Sequence, residues 1–179
     1  MANLVVKRSR LPTSRRSVTA DRGPRTEYLS FVLANDVYAA PVSLVREILK
    51  PPRLTPVPRA PTTVLGIVSV RGELVTVIDL RRRLRLTEAP FSRRARILLA
   101  DATFGEKLGL YVDEVLQVYR LADNEIEPAT ALGGDVASYI AGIARPAGAG
   151  EVKPAEGKGS GLDTSVVILL DLRAVLAFM

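Results

Sequence analysis

Histidine, cysteine and tryptophan are all missing from this 179-residue chain, and aromatic residues make up only 5% of it. Without cysteine there are no disulfides, no thiolate nucleophiles and no cysteine–zinc sites. Without histidine there is no imidazole base, no imidazole metal ligand and no phosphorylatable imidazole, the group most often recruited for acid–base work near neutral pH. Long apolar runs are missing too. Val166–Leu170 suits a buried strand, and no run approaches the ~20 residues a membrane helix needs. Leu4-Val5-Val6 is followed at once by Lys7 and Arg8, which is not the apolar core of a secretory signal. A cytoplasmic protein without membrane insertion is expected. The glycines of residues 146–164 are not preceded by a strand that leads into a Gly-Lys-Ser/Thr helix start, so they do not form a phosphate loop. No catalytic residue, metal ligand or cofactor is assigned.

Apolar residues make up 47% of the chain and charged residues 25%, ample for a packed interior. The net charge of +6 sits on one segment. Residues 1–25 hold seven basic side chains and one acidic one, which leaves 18 of each among the rest of the 25 basic and 19 acidic groups. This Ser-, Thr-, Arg- and Pro-rich tail has no hydrophobic period and is expected to be disordered. A basic tail is able to touch nucleic acid or an anionic lipid surface. With an electrically balanced body and few aromatic platforms for stacking bases, no nucleic-acid partner is expected.

From Glu27 onward the chain alternates short Val-, Ile-, Leu- and Tyr-rich runs with Gly, Pro, Asn and Asp, a strand-and-turn pattern. It says the same thing twice. Phe31–Val45 and Ile97–Val115 each read as strand, turn, strand; Gly66-Ile67-Val68 is echoed by Gly142-Ile143-Ala144. Val75–Leu84 is echoed by Val167–Leu176, both with Asp-Leu-Arg after a buried strand. Two similar small β-barrels are expected, about residues 27–90 and 91–179, with few short helices. Each is too small to bury a sufficient core alone, so the two should share an apolar interface. A groove between them suits a partner's amphipathic helix. Pro51–Pro61, with five prolines, reads as an extended connector. Residues 146–164, rich in Gly, Lys and Glu, read as a flexible loop.

The most informative stretch is residues 61–84. It spells two strands, Val64–Val70 and Leu74–Ile78, joined by a tight turn at Arg71-Gly72-Glu73, where Gly72 supplies any positive φ the turn needs. Asp79 and Asp171 each precede Leu-Arg and are read as helix caps rather than phosphoacceptors. Arg71 is either an ordinary turn arginine or a fork of donors that fixes a neighbouring loop through a carboxylate, with Glu47 as its partner. Val45, Leu54, Val57, Val70 and Leu74 are core by default, and one or two of them are open to a contact patch. Arg81, Arg82, Arg83, Arg85, Arg93, Arg94 and Arg96 are read as a basic surface, solvated or facing an acidic partner.

Val45-x-Glu47-Ile48, Leu65-Gly-Ile-Val-Ser-Val-Arg71-Gly72-x-Leu74-Val75-x-Val-Ile-Asp79-Leu-Arg81, Leu108–Val115, Tyr139–Ile143 and Val167–Leu172 follow one another along the chain. In this order they resemble the CheW-family coupling domain over about residues 26–179. The resemblance implies two tandem five-stranded, SH3-like barrels and a non-catalytic adaptor. Its implied partners are the regulatory domain of a CheA-type histidine kinase and the signalling tip of a methyl-accepting chemoreceptor, at receptor clusters on the inner face of the membrane. Val45, Glu47 and Arg71 fall on family positions implicated in that coupling, and Val70, Gly72 and Leu74 beside them complete the expected partner-binding set. Ser69 stands where the family commonly has Asn, the 146–164 loop is longer than typical, and the basic tail is extra. These departures suit a specialised paralogue of another chemosensory pathway, such as surface motility. The other reading is a CheW-like interaction protein that contacts nucleic acid or membrane through residues 1–25.

Overall fold

The structure, a computed structural model, describes residues 24–87, 90–101, 107–129, 139–146 and 165–177. The expected tail and the expected 146–164 loop therefore lie outside the described residues, apart from their last two and first residues respectively. Eleven strands and two short helices are described. They are β1 (Arg25–Leu33), β2 (Asp36–Pro41), β3 (Val45–Leu49), β4 (Val64–Val70), β5 (Glu73–Asp79), α1 (Leu80–Arg83), β6 (Arg96–Asp101), β7 (Lys107–Val112), β8 (Glu114–Ala122), β9 (Ile126–Pro128), β10 (Ile140–Ala144), β11 (Val167–Leu170) and α2 (Leu172–Leu176).

These strands form two sheets. One has the order β8-β1-β2-β11-β10-β9, and the other has the order β3-β6-β7-β5-β4. The mainly β, two-unit fold with few helices is thus the one the sequence led us to expect. The division at residue 90 is not followed by the hydrogen bonding, and the sheets have six and five strands rather than five each. The two sequence repeats are real: β6 and β7 correspond to β1 and β2, β8 to β3, β10, β11 and α2 to β4, β5 and α1. Each repeat, however, places its first hairpin in the sheet of the other. β1 pairs with β8 and β2 with β11, while β6 pairs with β3 and β7 with β5.

Local chemistry explains the repeated pieces. The loops of the β1–β2 and β4–β5 hairpins each have two central residues of positive φ, Ala34 (50°) with Asn35 (79°) and Arg71 (52°) with Gly72 (87°). That is the requirement of the tight turns whose twist matches paired strands. The glycines of the echoed motif sit at matching irregularities of register, after Val64 and after Ile140. At Gly66 a Cβ would lie 2.5 Å from the Thr55 carbonyl oxygen, and at Gly142 it would lie 2.7 Å from that of Glu127. In both places a second strand-like segment crosses too closely for any side chain. Thr55 forms a two-way backbone bridge with Ile67, both bonds at 2.9 Å. The proline-rich connector is therefore stitched to the edge of β4.

The core has three parts. One cluster joins the sheets and takes Phe31, Leu33 and Tyr38 from the first, Leu98, Leu110 and Val112 from the second, and Leu172, Val175 and Leu176 from α2. A second lies within the first sheet around Val37, Tyr119 and Leu169, and a third within the second sheet around Val75, Val77 and Ile97. Both helices are capped by the aspartate before them. The Asp79 carboxylate accepts from the Arg81 and Arg82 amides at 2.9 and 3.4 Å, and that of Asp171 from the Arg173 and Ala174 amides at 3.0 and 3.1 Å. Caps of this kind are each worth about 1 kcal/mol.

Candidate functional site

At one end of the five-stranded sheet the start of β3, the β4–β5 turn, the end of β6 and the start of β7 converge on a cavity of about 520 Å³. Antiparallel pairing of β3 with β6 and of β6 with β7, and the parallel pairing of β5 with β7, bring these termini to the same end. Val70, Val75, Leu99 and Ala100 supply its apolar lining, and three ion pairs rim it. Arg46 Nε donates to Asp101 Oδ2 at 2.6 Å, Arg71 Nη2 donates to Glu47 Oε1 at 3.1 Å, and Lys107 pairs with Glu73. The rim holds three cations and three carboxylates and is neutral as a whole.

Exposed pairs of this kind contribute about 0–1 kcal/mol each to stability, so the rim is an orienting device more than a brace. Each side chain holds its neighbour at a fixed place on a strand end. Arg71 is the extreme case, with a side chain 80% exposed on a backbone of φ 52°. A β-turn position of that kind favours Asn or Gly, and a non-glycine residue there carries a strain of order 1 kcal/mol.

Of the residues singled out in the sequence, Glu47, Val70 and Arg71 line this cavity, and Gly72 occupies the turn. Leu74 stands just beyond the turn and is 74% exposed, unusual for a leucine within a strand. Val45 begins β3 opposite Ala100, but its half-buried side chain packs against the core shared by the sheets. Asp79 and Asp171 lie elsewhere, at the two helix caps.

Among the described residues no group of three or more His, Cys, Asp or Glu side chains is placed to hold a metal. Each rim carboxylate faces a cation rather than a second carboxylate, so the cavity contains no acid–base dyad. The hydrogen bond from Arg46 holds the Asp101 carboxyl below its ordinary value of 3.8; burial opposes this, and the Arg46 and Lys107 charges add to the lowering. A carboxylate lowered on folding contributes stability that is present above its unfolded value and lost as the pH falls through the folded one. The Arg46–Asp101 pair should therefore outlast an unpaired aspartate as the pH falls, and Arg46→Ala should raise the Asp101 midpoint toward the ordinary value. Carboxyl carbon NMR titration of both proteins checks this; an unchanged Asp101 midpoint in the variant counts against it.

Residues 27–178 match the family model of the CheW-like domain. The chain belongs to the CheW family. Curated relatives agree. It is 33% identical over 134 residues to Protein FrzA of Myxococcus xanthus, covering 74% of this chain and 82% of that one. It is 28% identical over 135 residues to the chemotaxis protein CheW of Treponema pallidum, covering 73% and 79%. The crystal structure of the scaffolding protein TtCheW from Thermoanaerobacter tengcongensis superposes with a TM-score of 0.69 at 27% identity, covering 84% of this chain and 92% of that one. CheW membership makes the protein a chemosensory adaptor, and no helix among the described residues is long and apolar enough to cross a membrane.

Two features of this CheW chain were not visible in its sequence. The arginine row is not one surface. Arg81 is buried, and its Nε donates to Asp113 Oδ2 at 2.8 Å. Arg83 Nε donates to the Val175 carbonyl at 3.1 Å, and its guanidinium lies 5.0 Å from the Tyr139 ring centre. Arg94 pairs with Glu114 at 3.2 Å. The second feature is the closed rim itself. Glu47 and Arg71 were suggested by the chain, but Arg46, Glu73, Asp101 and Lys107 carry no local signal beyond alternation on strand ends.

Proposed function

We propose that this protein is a non-catalytic, cytoplasmic adaptor that couples a chemoreceptor signalling tip to a CheA-type histidine kinase. In this reading the rimmed cavity at the Arg71-Gly72 turn is its receptor-facing contact. The observation that carries the proposal is the strained, exposed Arg71 held by Glu47 above an apolar floor, with Leu74 standing free beside it. Folding gains little from an arginine there, since the turn is better served by Asn and the ion pair is exposed. A partner gains a fixed arginine fork, a residue type enriched at the energetic centres of interfaces, with apolar surface beside it. The kinase regulatory domain is the second partner, and the family's tandem fold supplies two units on which to hold both.

Arg71→Asn separates the two roles. The turn accepts Asn at positive φ, so thermal stability should stay within about 1 kcal/mol, a few degrees in Tm for a chain of this length. Coupling should fall by about tenfold or more, as expected for the loss of a central charged contact of 1.4 kcal/mol or above. The test is sedimentation of the wild type, Arg71→Asn and a 1–25 deletion with a receptor-tip fragment and the kinase regulatory domain. A ternary complex that survives the deletion and weakens with Arg71→Asn supports the adaptor. Undiminished receptor affinity in Arg71→Asn removes the cavity from the function.

A further inference from the structure

The opposite end of the five-stranded sheet carries a second concave surface that shares no residue with the rimmed cavity. The chain leaves β3 there at Lys50, β4 begins there, and the segment before β6 folds across the end of β7. The cavity is about 460 Å³, with Leu54, Leu65 and Tyr111 in its apolar lining. Phe91 lies beside them, 66% exposed. Its ring is held edge-on to Tyr111, with the centroids 5.0 Å apart and the planes at 67°. An aromatic fixed in this way is already ordered before anything binds, so the entropy of immobilising it on contact is small. An exposed apolar patch with a polar rim marks an interaction site.

The rim differs in kind from that of the first cavity. Lys50, Arg93 and Arg96 line it, and no acidic residue among the described ones does. Lys50 and Arg93 pair with no carboxylate among the described residues, and the Arg96 guanidinium donates to the Arg94 and Ala95 carbonyls at 3.0 and 2.7 Å. At the first cavity every rim charge is matched from within the chain; here, among the described residues, no carboxylate faces the three cations around the apolar floor.

We propose that the Phe91 surface docks a protein segment that inserts an apolar side chain between Leu54, Leu65 and Phe91 and presents carboxylates to Lys50, Arg93 and Arg96. Concavity favours such a segment over a flat lipid surface, because the floor lies behind Phe91 and only a projecting side chain fills it. Charge complementarity selects an acidic partner and repels the chain's own basic residues 1–25. Since the two cavities lie at opposite ends of one sheet, both can be occupied at once. The proposal does not depend on the assignment of the Arg71 cavity.

Phe91→Trp provides the probe, because the chain contains no other tryptophan. The variant is titrated with three short peptides: a Leu-Leu pair flanked by Glu, the same pair flanked by Lys, and the Glu peptide with Ala in place of Leu. The Glu-flanked leucine peptide should shift the emission to the blue and saturate, with each control about tenfold weaker or worse, the size of one lost charge or anchor contact. Adding Lys50→Glu and Arg93→Glu should reverse the preference between the Glu and Lys peptides, while Arg71→Asn should leave both affinities unchanged. Equal responses to all three peptides, or none at millimolar concentration, overturn the proposal. So does a blue shift with phosphatidylcholine–phosphatidylserine vesicles but not with the Glu peptide, which would make this a lipid-facing surface.

Discussion

Asp113→Ala should cost about 3–5 kcal/mol of stability, the range for removing one member of a buried, hydrogen-bonded ion pair and leaving its partner uncompensated. Asp113 is the single residue between β7 and β8, where the chain passes from the five-stranded sheet to the six-stranded one. Its Oδ2 receives Arg81 Nε at 2.8 Å and the Ala34 amide at 2.9 Å, and its own amide donates to the Val32 carbonyl at 3.1 Å. One carboxylate thus ties α1 of the second sheet to the β1–β2 turn of the first, with both side chains of the pair only 11% exposed. Asp113→Asn keeps the shape and the Ala34 contact but loses the charge, so it should fall between wild type and Asp113→Ala. Arg81→Leu combined with Asp113→Leu should recover part of the loss, because removing both charges leaves neither one stranded. Urea unfolding of the four proteins measures this directly. A loss below about 1 kcal/mol for Asp113→Ala would mean that Arg81 finds water, and the pair would then rank with exposed ones.

The exchange of hairpins between repeats predicts a larger effect. Residues 1–90 and 91–179, produced separately, should each fail to fold, and mixing them should restore a folded complex. Cutting at residue 90 breaks all four ladders that cross between the repeats: β1 with β8, β2 with β11, β3 with β6 and β5 with β7. The first fragment keeps only the β1–β2 and β4–β5 hairpins. Isolated two-stranded hairpins are marginal at best in water, and the core cluster joining the sheets would lose residues from both sides of the cut. Amide NMR dispersion of each fragment alone and of the mixture decides the matter. A fragment that alone gives dispersed spectra and a cooperative melt would show that hairpins re-pair within a repeat.

The same comparison separates what was legible in the sequence from what was not. The Arg71-Gly72 turn, the aspartate caps before Leu-Arg and the doubled Gly-Ile motif were legible because each is decided by backbone geometry within a few residues. A φ above zero, orphaned amides at a helix start and a strand crossing too close for a Cβ all leave marks at one position. The pairing of Glu47 with Arg71 was legible only as a candidate, since nothing in spacing distinguishes it from any other exposed carboxylate and arginine. Arg81 was placed with a surface row because it opens the run Arg81-Arg82-Arg83, and nothing local sets it apart from the other two. Its burial follows from the cap turning α1 back toward Asp113, a residue 32 positions later.

The sequence by itself determined that this is a β-rich, twice-repeated chain with neither imidazole nor thiol chemistry, and its ordered motifs placed it with CheW. Only the tertiary structure decided which hairpin joins which sheet, where the rim of three ion pairs closes, and that Phe91 stands over a cation-lined cavity. The physical reason is the same in each case. A strand's apolar alternation states that one face is buried but not against which partner. The choice belongs to contacts far apart along the chain, and those exist only once both sheets have formed.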